Sequence, residues 1–564
     1  MTFDAHEIES WIAADPDPET QAEIRSLLDR AATDEAAAAE LADRFSGTLA
    51  FGTAGLRGAL GGGPNRMNRA VVIRAAAGLA AYLRERVGDD FHVVIGCDAR
   101  YGSEQFARDT AAVVTAAGGR AQLLPARQPT PVLAFAVLHL DADAGVMVTA
   151  SHNPKEDNGY KVYLGGRATE DAGRGVQIVS PADADIAAQI AAQPPASEVP
   201  LAPDGWGVLG DEVRQAYLDR VVSLVPKGRA AGVRIVHTAM HGVGGETMLE
   251  AFSRAGFDDV HSVAEQASPD PDFPTVTFPN PEEPGALDLA LALAERENAQ
   301  LIIANDPDAD RCAVAIPVSG GWRQLSGDEV GWLLGSQAGS YAAAAGTRGT
   351  LACSIVSSRM LERIATGHGL DHQYTLTGFK WISRVPDLVF GYEEALGYCV
   401  DPRAVRDKDG ISAAIRLALL ASQLANQDQT LADQLDALER NHGVHATLPL
   451  TIRVEDLSII AAGMATLRQA PPQELAGSPV TEAVDLSTGG WGGLPPTEGL
   501  YYLTEANDRV VVRPSGTEPK LKCYLESIVE VREDASDEEL ARARAAARQR
   551  VEAVRDDLQA RLGA

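Results

Sequence analysis

Gly145-Val146-Met147-Val148-Thr149-Ala150-Ser151-His152-Asn153-Pro154 joins an uncharged apolar run to a polar turn. A short apolar run closed by turn residues reads as a buried strand. Working back along the chain, residues 93–95 and 122–124 form two further apolar runs, and helical patterns cover 71–87 and begin again at Ser103. Strands that alternate with helices define βα units and a largely parallel or mixed sheet. The first fifty residues read as helical and polar, an N-terminal extension packed on this first domain.

Working forward, residues 180–207 carry Pro194, Pro195, Pro200 and Pro203 and read as a linker. A second α/β pattern follows, with strands predicted at 233–236 and 301–304 and a Pro-rich loop at 269–284 between them. A third has a strand at 351–356 and a buried helix at 411–424. The last portion differs: 446–454 alternates as an exposed strand does, 489–499 is a Gly- and Pro-rich loop, and 510–512 precedes a polar turn. A long helix starts at Ser536, where Ser536 and Glu539 make a capping box.

With 564 residues the chain exceeds what one core supports. The expected class is α/β: three tandem α/β domains with mixed sheets plus a C-terminal α+β domain, arranged around a central cleft. The expected divisions are residues 1–206, 207–320, 321–441 and 442–564.

A formal net charge of −30 argues against a phosphate-backbone partner, which needs clustered Lys and Arg, and equally against an anionic membrane surface. A small phosphorylated ligand stays compatible with it if a few cations are concentrated locally. Only seven lysines occur, Lys155, Lys161, Lys227, Lys380, Lys408, Lys520 and Lys522, and three of them, Lys161, Lys380 and Lys520, recur among the candidate site residues below. The five cysteines are scattered and form no Cys-x-x-Cys pair, so neither a disulfide framework nor a zinc knuckle is indicated. No signal-peptide pattern or membrane-spanning run is present, which makes a cytoplasmic protein the expectation.

Four motifs carry chemistry. Ser151 follows a predicted strand, where α/β sheets present ligand-binding groups. No Gly-x-Ser-x-Gly elbow surrounds it, so a serine hydrolase fits poorly, and a serine beside the His152 imidazole suits a covalent phosphoryl intermediate better. Asn305-Asp306-Pro307-Asp308-Ala309-Asp310-Arg311 also follows an apolar run. Its three alternate carboxylates can converge on one hard cation such as magnesium. A calcium loop of the EF-hand type is excluded, because Arg311 and Pro317 stand where its glycine and bidentate glutamate belong.

Arg513-Pro514-Ser515-Gly516-Thr517-Glu518-Pro519-Lys520 offers a guanidinium, hydroxyls and open backbone N–H groups, a set suited to a phosphate dianion. In Gly391-Tyr392-Glu393-Glu394-Ala395-Leu396-Gly397-Tyr398, acids beside glycines can accept hydrogen bonds from sugar hydroxyls. Adjacent residues of an extended segment point apart, which disfavours the paired carboxylates of a glycosidase.

In this order the motifs resemble those of the α-D-phosphohexomutase family, over about residues 51–524. Phe51-Gly52-Thr53-Ala54-Gly55-Leu56-Arg57-Gly58 and Asn65-Arg66-Met67-Asn68 look closest to its phosphoglucomutase 2-like and phosphopentomutase branch. The resemblance implies that Ser151 is a phosphoserine with His152 its neighbour, and that Ser151, Asp306, Asp308 and Asp310 hold one magnesium ion per chain. Arg57, Lys161 and Arg311 then surround the transferring phosphoryl. Lys161 is a candidate proton shuttle, since a lysine pKa lowered by neighbouring arginine and metal lets it take the acceptor's proton. Lys380, Glu393 and Glu394 read the sugar, and Arg513, Ser515, Gly516, Thr517 and Lys520 cradle a phosphate. Many relatives carry serine where this chain has Ala395, which leaves substrate preference open.

The implied activity is a phosphosugar mutase, a monomer or homodimer acting on small sugar phosphates. It interconverts hexose 1- and 6-phosphates of glucose or mannose through a hexose 1,6-bisphosphate, which is both intermediate and activator. A phosphopentomutase and a sugar bisphosphate synthase charged by an external donor are the alternatives. A non-catalytic binder has no need of an acceptor serine beside a cation site.

Overall fold

The computed structural model describes residues 4–226, 232–454, 457–514 and 520–562. Two compact units result: Met1–Gln324 with Gly397–Gln423, and Leu325–Leu396 with Leu424–Ala564.

In the first unit, the leading sheet runs in the order Leu56–Ala59, Asp157–Leu164, Ala144–Val148, His92–Cys97, Arg120–Leu123, Gly207–Val208. The last four of these are parallel, and Asp157–Leu164 runs antiparallel to both its neighbours, Leu56–Ala59 and Ala144–Val148, so the sheet is mixed. Every residue of His92–Cys97 and Ala144–Val148 is buried, the mark of strands covered on both faces. Helices Arg69–Val87, Ser103–Ala116 and Thr130–His139 connect the strands.

Residues 180–207 are not a free linker. Helix Ala182–Ala191 buries Ile186 in the core of this domain, and Gly207–Val208 adds a strand to its sheet. Its prolines break the segment into short elements without detaching it.

The N-terminal extension is three helices, Ala5–Ala14, Pro18–Ala31 and Glu35–Arg44, started by Asp4, Asp17 and Asp34, whose side chains accept from the first-turn backbone N–H groups. Ile8, Ile12, Ile24 and Leu41 form their small core, and Gly62 N donates to Glu23 at 2.8 Å, which ties them to the first domain.

The second sheet of this unit is ordered Gly321–Gln324, Ala313–Val318, Leu301–Ala304, Ile235–Thr238, Val260–Ser262. Leu301–Ala304 is parallel to Ile235–Thr238 and antiparallel to Ala313–Val318. Segment 397–423 groups with this unit; a bridge pairs Arg311 with Gly397.

In the second unit, Asp371–Thr375, Thr350–Ser354 and Leu388–Glu393 run parallel. An antiparallel sheet follows, ordered Val444–Arg453, Lys520–Val529, Arg509–Pro514, Leu500–Thr504, Ser478–Asp485, Glu474–Leu475. Helix Asp537–Leu562 packs Val551, Val554 and Leu558 onto it, and the Ser536–Glu539 capping box forms as read from the sequence. Fully buried Glu526 joins the two sheets, accepting from Ser358 Oγ at 2.7 Å and Arg359 Nε at 2.6 Å. Five buried cysteines are all free thiols, and no described helix is long and apolar enough to cross a membrane.

Candidate active site

Ser151 sits in the turn between strands Ala144–Val148 and Asp157–Leu164, with φ +53°, a left-handed conformation that non-glycine residues seldom take. Its N–H donates to Thr149 Oγ1 at 2.9 Å, and Asn153 N closes the turn on Ala150 O. Only 3% of the residue is exposed. Its Oγ donates to Asp306 Oδ2 at 3.0 Å and lies 3.2 Å from His152 Nδ1. Arg57 Nη1, from the first strand, donates to Asn153 Oδ1 at 3.2 Å.

The acidic loop follows the buried strand Leu301–Ala304. Asn305 Nδ2 donates to Arg311 O, Ala309 turns through φ +57°, and Arg311 N donates to Asp306 Oδ1, so three carboxylates are held in one tight turn. Neighbouring backbone approaches closely: a Cβ on Gly242 would meet Pro307 backbone at 2.4 Å, and one on Gly410 would meet Arg311 O at 2.2 Å.

Asp306, Asp308 and Asp310 are fully buried, and their ligand oxygens lie within 4.8 Å of one another. Asp308 Oδ2 accepts from Thr130 Oγ1 and Lys161 Nζ, both at 2.7 Å. Asp310 Oδ2 accepts from Lys161 Nζ at 2.9 Å and pairs with Lys408 Nζ at 3.1 Å. The other oxygens, Asp308 Oδ1 and Asp310 Oδ1, are buried with no hydrogen-bond partner. Orphaned carboxylate oxygens in a dry site are costly, and these fit an all-oxygen hard cation, completing the set with Asp306.

The electrostatics agree. Burial, then the charges of Asp308 and Asp310, push the Asp306 carboxyl well above its ordinary range. Burial and Asp310 also act against charge on Asp308, but Lys161 and Thr130 outweigh them and hold it below. At Asp310 burial is likewise outweighed by Lys161, Lys408 and Arg311. Burial works to lower the Lys161 pKa, yet Asp308 and Asp310 win and raise it. The expected lowering by arginine and metal refers to the site with its ion bound, when Asp308 and Asp310 share their charge with the cation. Burial together with Arg311 and Arg57 drives His152 well below the imidazole range.

The second unit holds the other expected residues. Glu393 Oε1 accepts from Gly378 N at 2.6 Å, which fixes the turn leading into Lys380. Glu394 Oε2 accepts from Ser357 Oγ at 2.8 Å and Ser354 Oγ at 3.2 Å. Arg513 donates to Thr377 Oγ1, so a cation of the phosphate motif reaches the same turn. Lys520 opens strand Lys520–Val529. Ser515, Gly516 and Thr517 lie outside the described residues.

Two side chains of the acidic cluster were given no role in the sequence reading. Thr130 stands in a Pro-Thr-Pro helix start that announces only a turn. Lys408 is one of seven lysines, and that scarcity was the available signal; only the fold brings it to Asp310.

Comparison with known proteins matches the four successive domains of phosphoglucomutase/phosphomannomutase: domain I at 48–194, domain II at 215–320, domain III at 326–441 and the C-terminal domain at 453–550. A probable phosphomannomutase of Haemophilus influenzae is 50% identical over 466 residues, covering 82% of this chain and 93% of that one. A mouse phosphopentomutase is 35% identical over 573 residues, covering 92% and 89%. The crystal structure of a phosphoglucomutase/phosphomannomutase family protein from Burkholderia thailandensis superposes with a TM-score of 0.66 at 20% identity, covering 91% of this chain and 97% of that one. The chain therefore belongs to the phosphoglucomutase/phosphomannomutase family and is an enzyme of the intramolecular phosphotransferase type.

Proposed function

We propose that the protein interconverts hexose 1-phosphates and hexose 6-phosphates, of mannose or glucose, through a phosphorylated Ser151 and a bound 1,6-bisphosphate. The observation that carries this reading is the contact of Ser151 Oγ with an acidic loop that keeps two buried carboxylate oxygens unpartnered. Asp306, Asp308, Asp310 and Ser151 would hold one magnesium ion. When bound, such an ion neutralises charge on the phosphoryl oxygens.

The chain's own groups do the rest. The Ser151 Oγ–P bond breaks as a bond forms between phosphorus and the free sugar hydroxyl; the hydroxyl loses a proton and Ser151 Oγ gains one. The bisphosphate turns over and returns its other phosphoryl to Ser151. Phosphoryl transfer asks mainly for positioning and charge neutralisation, which Arg57 and Arg311 supply from beside the serine and the acidic loop. Lys161 exchanges protons with the sugar hydroxyl, and the His152 imidazole, 3.2 Å from Oγ, serves the serine. Glu393, Glu394 and Lys380 read sugar hydroxyls. Arg513 and Lys520, with Ser515, Gly516 and Thr517, take the phosphate that is not reacting.

The likeness to a phosphopentomutase over nearly the whole chain supports a second substrate class, pentose 1-phosphates. Assay with mannose, glucose and ribose 1-phosphates and trace bisphosphate tests both. The hexose 6-phosphate is the expected main product, and Ser151→Ala is expected to lower turnover on the order of 10⁴-fold or more. Ordinary turnover by that variant would overturn the scheme, while release of bisphosphate in place of 6-phosphate would point to the synthase alternative.

A further inference from the structure

We propose that Arg100 is a positioning residue, a clamp that fixes Ser151 by gripping four backbone carbonyls of its turn. Arg100 lies just after strand His92–Cys97, and its side chain is 1% exposed. Nη2 donates to Ser151 O at 2.7 Å and to Asn153 O at 2.6 Å; Nη1 donates to Pro154 O at 2.7 Å and to Asp157 O at 3.2 Å. One guanidinium thus spans the connection between strands Ala144–Val148 and Asp157–Leu164.

The fork itself is held from both sides. Asp98 Oδ2 lies 3.4 Å from Nε, and Asp98 Oδ1 accepts from Arg100 N at 2.9 Å and Ser103 Oγ at 2.6 Å. The Phe273 ring, from the Pro-rich loop of the second α/β domain, sits 5.1 Å from the guanidinium carbon. Only arginine has the planar fork that reaches such a set; lysine offers one nitrogen and three donors.

The turn needs an external hold. Ser151 is left-handed, and a turn that must present one oxygen to both Asp306 and an incoming phosphoryl gains little from regular ladder hydrogen bonds. Displacing a reacting oxygen by an ångström costs about 10²-fold in rate. The consequence for catalysis rests on the proposed phosphoserine; the clamp itself does not.

The test uses the full chain carrying Arg100→Lys, Arg100→Ala or Phe273→Leu. Amide hydrogen exchange across residues 149–157 reads the clamp, and single-turnover phosphorylation by glucose 1,6-bisphosphate reads its effect. Arg100→Lys is expected to speed exchange by about tenfold or more and to lower kcat on glucose 1-phosphate by about 10²-fold while KM stays within about twofold. Free guanidinium should restore part of the Arg100→Ala rate, which general loss of structure would not allow. Phe273→Leu, which keeps every polar partner, should move both readings in the same direction by less, and it decides the matter if the Arg100 variants do not fold. Unchanged exchange, or a raised KM at wild-type kcat, overturns the proposal. Faster exchange with the phosphoryl on another residue would uphold the clamp and defeat the phosphoserine reading instead.

Discussion

Asp306, Asp308 and Asp310 in the first unit and Glu393 and Glu394 in the second are both clusters of acids at the ends of strands, yet their surroundings differ in kind. The aspartates are fully buried, compensated by Lys161 and Lys408, and still leave two oxygens unpartnered. The glutamates are half-buried, and each has an oxygen tied to a neutral donor: a backbone N–H for Glu393, two serine hydroxyls for Glu394. Excess charge held in a dry loop is suited to a cation and a reacting phosphoryl. Carboxylates braced through neutral donors of their own loop are suited to fixing the shape of a turn that reads hydroxyls.

Removing a counter-charge should break this contrast most severely. Lys161→Met removes the cation that bridges Asp308 and Asp310 and leaves Lys408 on Asp310, and in magnesium-free buffer it is expected to destabilise the first unit by about 3–5 kcal/mol, read as a lower thermal midpoint. A midpoint equal to wild type would show that the aspartates need no compensation, and a wild-type rate would remove Lys161 from the proton path. Asp308→Asn should weaken magnesium binding by about 100-fold or more in a calorimetric titration. Unaltered affinity there would move the cation site elsewhere.

The second unit sharpens the contrast through Asp328, buried beneath the Glu394 loop, where it accepts from Tyr392 Oη and Ser358 N. Burial raises its pKa to about 7 from 3.8. A raised carboxyl stabilises the fold at low pH, and that contribution is lost as the pH climbs toward the folded value. Wild type should therefore lose about 2 kcal/mol between pH 5 and pH 7 that Asp328→Asn does not lose; parallel stability profiles of the two proteins would contradict this. The smallest effect is expected from Glu394→Ala. Freeing the Ser354 and Ser357 hydroxyls should raise KM for sugar phosphate by about tenfold with little change in kcat. A fall in kcat alone would place Glu394 in the chemistry.

The parts of the site that could be read from the sequence are those that are continuous in the chain. Thr149 to Pro154 and Asn305 to Arg311 each follow an apolar strand, and both strands form where the hydrophobic runs place them. The parts that escaped are contacts made by folding. Lys408 reaches Asp310 because residues 397–423 return to the first unit, and no local pattern announces that return. Arg100 carries no motif of its own, only a position after a strand that ends beside the serine turn. The 180–207 segment misled because proline density reports broken regularity, whereas Ile186 decides that the helix packs.

The account depends on Ser151 carrying the phosphoryl group. Protein incubated with glucose 1,6-bisphosphate and magnesium, then digested and mapped by mass spectrometry, should show a single phosphoryl group on the peptide containing Ser151, lost again when excess glucose 1-phosphate is added. Phosphate on any other residue, or none during active turnover, would contradict it.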